Sequence, residues 1–438
     1  MLARKIAEYV DSVSYEDLDF EVIREAERRI IDSIGVSFAA LDAIPVRIAR
    51  SMATKSDSRD QASVLGSRVK TSAELAAFAN GSAVRYLDFN DTYLSKEAMH
   101  PSDNIPAMLA VAETEGRSGK DAVLGIVLAY DVACALADAS SIRDRGWDHV
   151  TYIAISSAVG AGRIMSLNIE QLVQAVNLAA TPNIALRQTR AGELSMWKGC
   201  AAANATRNGV FAALLAKHGM TGPSPVFEGE MGFFKQVSGD FEMGFGGLHK
   251  LPKTHVKNYP VEYHSMSAVD AVLEIKHKAA SDDVEEVNID TFTVGWQIIA
   301  KDPEKWRPKT KETADHSLPY IVDRAFVDGD IWLDSYDMKK IQSEDVTRLL
   351  KVTKVRVNPS YDRLYPDAVP SRVTARFKDG TESVEIVYPK GHYKIPLTDE
   401  EIESKYLRLG APKSALSMLW SFAKYDVRDI MSALEPDG

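Results

Sequence analysis

Asp121-Ala-Val-Leu-Gly-Ile-Val-Leu-Ala-Tyr-Asp-Val-Ala-Cys-Ala-Leu-Ala-Asp138 is apolar nearly all the way round a helical wheel. A surface helix keeps a polar face, so this segment predicts a helix walled in by other helices, at the centre of a helical domain. Its neighbours agree. Asp19 to Leu41 carries Val22, Ile23, Ala26, Ile30, Ile34 and Phe38 at helical spacing. Thr71-Ser-Ala-Glu74 has the pattern of a capping box leading into Leu75-Ala-Ala-Phe-Ala. Asn168-Ile-Glu-Gln continues the theme, and Lys198 to His218 ends at Gly219 as a helix should. Ala, Ser and Gly are plentiful here, which permits close helix–helix contact.

The character changes after about residue 255. Val284 to Trp296 alternates apolar and polar residues and reads as a strand, as does Val352-Thr-Lys-Val-Arg-Val-Asn. Arg372 to Lys378 and Thr381 to Tyr388 flank Asp379-Gly380, a dipeptide that favours positive φ, and predict a hairpin. Helices over Ser265–Ala279 and Thr313–Val327 lie between strands. Helices return from Thr398-Asp-Glu-Glu401, another capping box. The expected fold is mostly α. A large all-helical domain spans 1–254, helices over 397–438 return to it, and a smaller α+β domain over 255–396 is inserted. A cleft between the domains is the expected ligand site.

Composition narrows the function. The chain has 438 residues, 45% hydrophobic and 26% charged, with a net charge of −10. That balance argues against a nucleic-acid or anionic-membrane binder, so positive charge for an anionic substrate has to be gathered locally. The two cysteines, Cys134 and Cys200, form no C-x-x-C, which speaks against a structural zinc site or an iron–sulfur cluster. No metal site and no cofactor are expected. The N-terminal segment does not read as a signal peptide. No uninterrupted apolar run of about 18 residues suggests a membrane span. A cytoplasmic setting is the expectation.

The densest polar chemistry lies between two apolar helices, in Arg85-Tyr-Leu-Asp88-Phe-Asn90-Asp91-Thr92 and His100-Pro101-Ser102-Asp103-Asn104. Such groups are costly near a core unless they pair with each other or with a ligand. Asp91 and Asn104 read better as residues that shape the loop. His100, beside Pro101 in a loop, reads as functional. A metal reading is weak, because no H-x-H or E-x-x-H accompanies the group. A second cluster is Arg187-Gln-Thr-Arg190 with Lys198. Guanidinium forks suit carboxylates, and Met196 and Trp197 beside Lys198 suggest a partly dry site. A third is Lys257 with His264-Ser265, and a fourth is Asp315-His316-Ser317 with Tyr320. Each places a histidine before a helix N-terminus, a natural anion position. His149, after Trp147-Asp148, can be read as a helix cap. Ser195-Met-Trp-Lys198, Ser102-Asp103-Asn104 and Lys253-Thr254-His255 resemble motifs of penicillin-recognising enzymes, but their order is wrong and the third lacks its glycine.

Taken in order, several motifs resemble the MmgE/PrpD family nearly end to end. They are Tyr86-Leu-Asp-Phe-Asn-Asp-Thr92, His100-Pro-Ser-Asp-Asn104, Ala185-Leu-Arg-Gln-Thr-Arg190, Trp197-Lys198, Lys257-Asn-Tyr259-Pro260 with His264, Ala314-Asp-His-Ser-Leu-Pro-Tyr320 and Tyr388-Pro-Lys-Gly391. The resemblance implies a large helical domain with an α+β lid, and a homodimer. It implies a dehydratase acting on 2-methylcitrate or citrate, with a decarboxylase of cis-aconitate or a dicarboxylate epimerase as alternatives. A non-catalytic carboxylate-binding protein is the alternative from another class. Carried over by motif, Asp88, Thr92, His100, His149 and Lys198 would be catalytic. Arg187, Arg190, Lys257, His264, His316 and Tyr320 would bind a tricarboxylate.

Overall fold

The computed structural model describes residues 1–55, 61–245, 247–278 and 284–436. The chain divides into two compact units. The first comprises Met1–Arg190, Met196–Thr254 and Thr398–Gly438; the second comprises Ala191–Ser195 and His255–Leu397. The short run Ala191–Ser195 therefore lies with the second unit, where the sequence reading had kept it in the first.

The first unit is helical. Its long helices are α1 (Leu2–Ser12), α2 (Phe20–Ala39), α3 (Ile44–Ala53), α4 (Ala73–Tyr86), α5 (Ile105–Thr114), α6 (Gly119–Ala139), α7 (Val150–Ile164), α8 (Ile169–Ala180) and α9 (Ala201–Lys217). Two-residue strands β1 (Ala62–Ser63) and β2 (Lys70–Thr71) pair antiparallel. α6 is the quoted apolar segment. By length and composition it could cross a membrane, but 89% of its apolar window is buried inside the protein. α7 packs against α6, α8 and α9. Small residues make that possible: a Cβ on Gly209 of α9 would come within 2.6 Å of the Ala154 carbonyl oxygen on α7. The expected capping box at Thr71 does not form. Thr71 is spent on β2, and Ser72 holds the N-cap position of α4 without a side-chain bond.

The second unit holds a four-stranded sheet in the order β4–β3–β5–β6, built from β3 (Val284–Thr291), β4 (Thr353–Val357), β5 (Ser371–Phe377) and β6 (Gly380–Ile386). β3 runs parallel to β4 and antiparallel to β5, and β5–β6 is the expected hairpin. Phe377 pairs with Gly380, so Lys378 and Asp379 make the turn, and neither Asp379 nor Gly380 has a positive φ. β3 stops short of the expected Trp296. Asp362 accepts from the Thr293 backbone N–H and hydroxyl, both at 2.7 Å, and this starts helix α11 (Thr293–Ile299) instead. Helix α10 runs Met266–Lys278; Ala279 lies outside the described residues. The helix expected over Thr313–Val327 is two, α12 (Lys311–Ala314) and α13 (Leu318–Asp328). Ser317 caps α13 by accepting from Tyr320 N, with Pro319 in the first turn, so His316 sits in the break between them. Short α14 (Met338–Ile341) and α15 (Glu344–Leu350) precede β4.

After Leu397 the chain belongs to the first unit again, with α16 (Asp399–Arg408), α17 (Leu416–Leu419) and α18 (Val427–Ala433). Here the capping box forms as read: Glu401 N donates to Thr398 Oγ1 at 3.2 Å, and Glu401 Oε2 accepts from Thr398 N at 2.6 Å. α16 packs on α2. Gly209→Ala should destabilise the protein by about 1–3 kcal/mol, because the added methyl meets backbone rather than a yielding side chain. Urea unfolding of the variant checks this, and an unchanged midpoint would count against the tight α7–α9 contact.

Candidate active site

The first cluster belongs wholly to the helical unit. α4 ends at Tyr86, and Asp88 adopts a left-handed φ of 54°, which turns the chain sharply. Asp91 then pins the loop. Its Oδ1 accepts from Ser102 N and its Oδ2 from Tyr130 of α6, both at 2.9 Å, and Arg29 of α2 lies 3.9 Å away. Burial raises the Asp91 pKa, and Arg29 opposes that shift. Asn104 donates to Pro101 O and accepts from Ser156 and Ser157 of α7. Both residues thus hold the loop in shape. Lys405 of α16 pairs with Asp32 at 2.6 Å, donates to the Phe89 carbonyl at 3.0 Å and sits 3.7 Å over the Phe89 ring.

The loop delivers His100. Its Nδ1 lies 2.6 Å from the Asp91 carbonyl oxygen and 3.4 Å from Thr92 Oγ1. A carbonyl only accepts, so Nδ1 bears the proton and Nε2 is the basic nitrogen. The His149 ring meets His100 edge-on, with centroids 5.7 Å apart. His149 stands at the head of α7, and its Nδ1 is 2.9 Å from Asp148 Oδ1. Burial lowers the His149 pKa to about 4, against the pull of Asp148. Burial would raise Asp148, but Arg190 and then His149 hold it well below the usual carboxylate range.

Lys198 is only 1% exposed and lies 3.9 Å from Asp88 Oδ1, while Arg85 pairs with the same carboxylate. Met196 and Trp197 are themselves half-exposed, at 50% and 47%. A Cβ on Gly199 would meet Tyr86 at 3.0–3.1 Å, so the turn carrying Lys198 lies directly on the end of α4. Arg190 Nε donates to both Asp148 oxygens at 3.3 and 3.1 Å, and its Nη1 reaches the Lys198 carbonyl at 3.5 Å. Arg190 is therefore first a clamp on Asp148. Burial lowers the Arg187 pKa, with Asp148 opposing. Asp88, Thr92, His100, His149, Arg190 and Lys198 thus form one chain of contacts. Sequence reasoning missed two of its members, Arg85 and Asp148, although Asp148 adjoins His149 in the chain.

The second cluster belongs to the α+β unit. Glu262 accepts from His264 N at 2.8 Å and from His264 Nδ1 at 2.7 Å. Tyr365 lies 3.4 Å from His264 Nε2. Asp315 binds His316 Nδ1 at 2.6 Å and Lys311 at 2.7 Å, and its carbonyl accepts from Glu262 N at 2.9 Å, which joins the two carboxylate–imidazole pairs. Burial would raise Glu262, but His264, His316 and the buried Lys257 lower it. Lys305, which the sequence did not single out, is also buried, and burial lowers its pKa against Asp315. Tyr320 does not join this group. Its hydroxyl donates to the Ser335 carbonyl and its ring packs near Tyr336, so it serves as a core residue. Among the described residues no group of three His, Cys, Asp or Glu side chains could hold a metal ion.

Two family models match the chain: the MmgE/PrpD N-terminal domain over residues 4–246 and the MmgE/PrpD C-terminal domain over 259–415. The chain belongs to the MmgE/PrpD family. Relatives within reach of direct alignment include a 2-methylcitrate dehydratase of Escherichia coli O157:H7, 28% identical over 419 residues that cover 89% of this chain and 86% of the relative. A 2-methylcitrate dehydratase of Cupriavidus necator is 27% identical, covering 82% of this chain and 80% of its own. An alkylcitrate dehydratase of a fungal species is 27% identical, covering 82% and 76%. The first polar cluster of this MmgE/PrpD chain lies inside the N-terminal match, and the second, Lys257 apart, inside the C-terminal match.

The buried His149 has a consequence for stability. Its folded pKa lies below the unfolded value, so the unfolded state binds the proton first as pH falls. Its penalty is absent above about pH 6.5 and accumulates down to about pH 4. The urea midpoint of the wild type should therefore drop more between pH 6.5 and 4.5 than that of His149→Gln. A wild-type-minus-variant difference that does not change with pH would contradict a buried neutral imidazole.

Proposed function

We propose that this protein is a carbon–oxygen lyase that removes water from a tricarboxylate hydroxy acid, 2-methylcitrate or citrate, to give a cis-aconitate-type alkene. The observation that carries the reading is the pair of anchored imidazoles, His100 and His149, 5.7 Å apart and joined through Arg190 to the buried Lys198. Elimination needs a base for the proton beside a carboxylate and an acid for the departing hydroxyl, and two such groups side by side supply both. The relatives named as dehydratases of methylcitrate and alkylcitrate support the same substrate class.

Negative charge builds on the carboxylate as its neighbouring proton leaves. Lys198 and Arg187 are the cations that would meet that charge in the helical unit. Asp88 and Arg85 would orient Lys198, and Thr92 would hold His100 or a carboxylate. In the α+β unit, Lys257, His264 and His316 are the proposed carboxylate ligands. With two cysteines, 66 residues apart and both buried free thiols, the chain lacks a cluster's usual ligand set, and side chains are the proposed agents. Buried thiols also suit the reducing cytoplasm. The assembly in this reading is a homodimer. Exposed Phe211 and Met231 line adjoining apolar grooves that share Thr181 and Pro223, as surface meant for a partner would.

NMR of the purified protein with 2-methylcitrate, citrate and cis-aconitate in turn tests the reading. Dehydration or rehydration of at least one acid is expected. Carbon dioxide release without dehydration, or tight binding with no product, would overturn it. His100→Ala should lower kcat by about 10²-fold or more with the fold intact by circular dichroism. Turnover should persist in EDTA, and complete loss that a metal ion reverses would defeat the side-chain mechanism.

A further inference from the structure

Asp148 has no catalytic role assigned so far, yet it is fully buried and its carboxylate meets both the His149 imidazole and the Arg190 guanidinium. Its Oδ1 meets His149 Nδ1 at 2.9 Å and the Val150 N–H at 3.4 Å, and Arg190 Nε spans both oxygens. Its backbone N–H donates to the Ala185 carbonyl at 2.8 Å, and its own carbonyl accepts from Thr151 N at 3.0 Å. The residue is therefore fixed at both main chain and side chain, at the head of α7.

We propose that Asp148, clamped by Arg190, is the positioning residue that keeps the proton of His149 on Nδ1 and so makes His149 Nε2 the atom that takes the carbon-bound proton. The proposal rests on the elimination reading above. A carboxylate accepts only, so the nitrogen facing it bears hydrogen. The opposite nitrogen, His149 Nε2, is buried and makes no hydrogen bond among the described residues. His100 presents the same tautomer, but its Nδ1 rests on a neutral carbonyl. The two rings differ in what a developing positive charge would meet. At His149 it meets Asp148, the arrangement that supports proton uptake in carboxylate–imidazole dyads. At His100 the Nδ1 proton rests on the Asp91 carbonyl, a dipole rather than a charge, which suits a ring that gives its proton up.

The step balances. The C–H bond breaks and its electron pair forms the new C=C bond, while the proton goes to His149 Nε2. The C–O bond breaks and its pair leaves with the oxygen, which becomes water by taking the Nε2 proton of His100; His100 enters this step as the imidazolium and is left as the neutral Nδ1–H ring. The charged groups around His149 are Asp148, Arg190 and Arg85, with His100 against its edge. The two arginines and the N-terminus of α7 oppose a lasting cation there. Burial and these cations leave His149 without a proton to donate at neutral pH, which is the resting state a base requires.

Two measurements test this. Long-range ¹H–¹⁵N spectra of histidine-labelled wild type, with the His149 signals assigned by their loss in His149→Gln, should show the neutral Nδ1–H form from pH 5.5 to 8. The Nε2–H tautomer, or an imidazolium at pH 7, would overturn the assignment. This arm needs no substrate, so it stands apart from any failure of the elimination reading, which would show as no turnover by the wild type. In the kinetic arm, Asp148→Asn leaves Arg190 buried and uncompensated, so Asp148→Asn/Arg190→Gln removes both charges together. The folded double variant should lose about 10²–10⁴-fold in kcat with KM within about threefold. It should also lose exchange of the substrate's carbon-bound proton into D₂O, whereas His100→Ala keeps exchange while losing dehydration. Wild-type kcat in the folded double variant, or exchange surviving in it, would refute the role of Asp148.

Discussion

Asp91 has no exposed surface, and its carboxylate ties the backbone of Ser102 to the hydroxyl of Tyr130 on α6, with Arg29 of α2 close by. The rest of the helical site depends on that tie. A carboxylate taken out of water must be satisfied by geometry, and each partner comes from a different element. The loop between α4 and α5 is held in one path as a result. The carbonyl of Asp91 itself then fixes Nδ1 of His100. One buried anion thus sets both the course of the loop and the tautomer of the histidine it carries.

The same constraint explains why the unit is so polar at its centre. Arg85 pairs with Asp88, Arg190 with Asp148, and Lys405 with Asp32. None of these charges sits in water, so each depends on a partner whose own position is fixed. Burial pushes Asp103 up to about 7, with Arg85 pulling it down and Asp91 pushing it further up. Asp91 and Asp103 of one loop are thus both pushed up by burial, and they differ in the cation that opposes it, Arg29 for one and Arg85 for the other. The α+β unit repeats the logic with fewer elements: Glu262 and Asp315 each hold a histidine by Nδ1, and a backbone bond joins the pair.

At 27–28% identity the chain aligns with its dehydratase relatives over more than four-fifths of its length. Burying the ion pairs of this chain needs a helical unit packed closely enough to exclude water. The small residues of α7 and α9 provide it, since Gly209 lets one backbone approach another.

Local sequence determined the elements whose signals are self-contained. α6 was legible because no polar face interrupts its apolar wheel, the β5–β6 hairpin because Asp379-Gly380 marks a turn between two strand-like runs, and the Thr398 box because both of its bonds lie within four residues. The dense segment from Asp88 to Asn104 was legible as a polar cost that a core has to answer. Only tertiary structure decided how the cost was met. The Thr71 box yielded to strand pairing, and β3 ended early because Asp362, far along the chain, offered α11 a start. Tyr320 turned its hydroxyl to Ser335, and Arg190, which reads as a carboxylate fork, spent its Nε on Asp148. Residue type states what a side chain can bind. Which buried partner lies within about 3 Å of it is set by the packing of distant elements, and no local pattern carries that information.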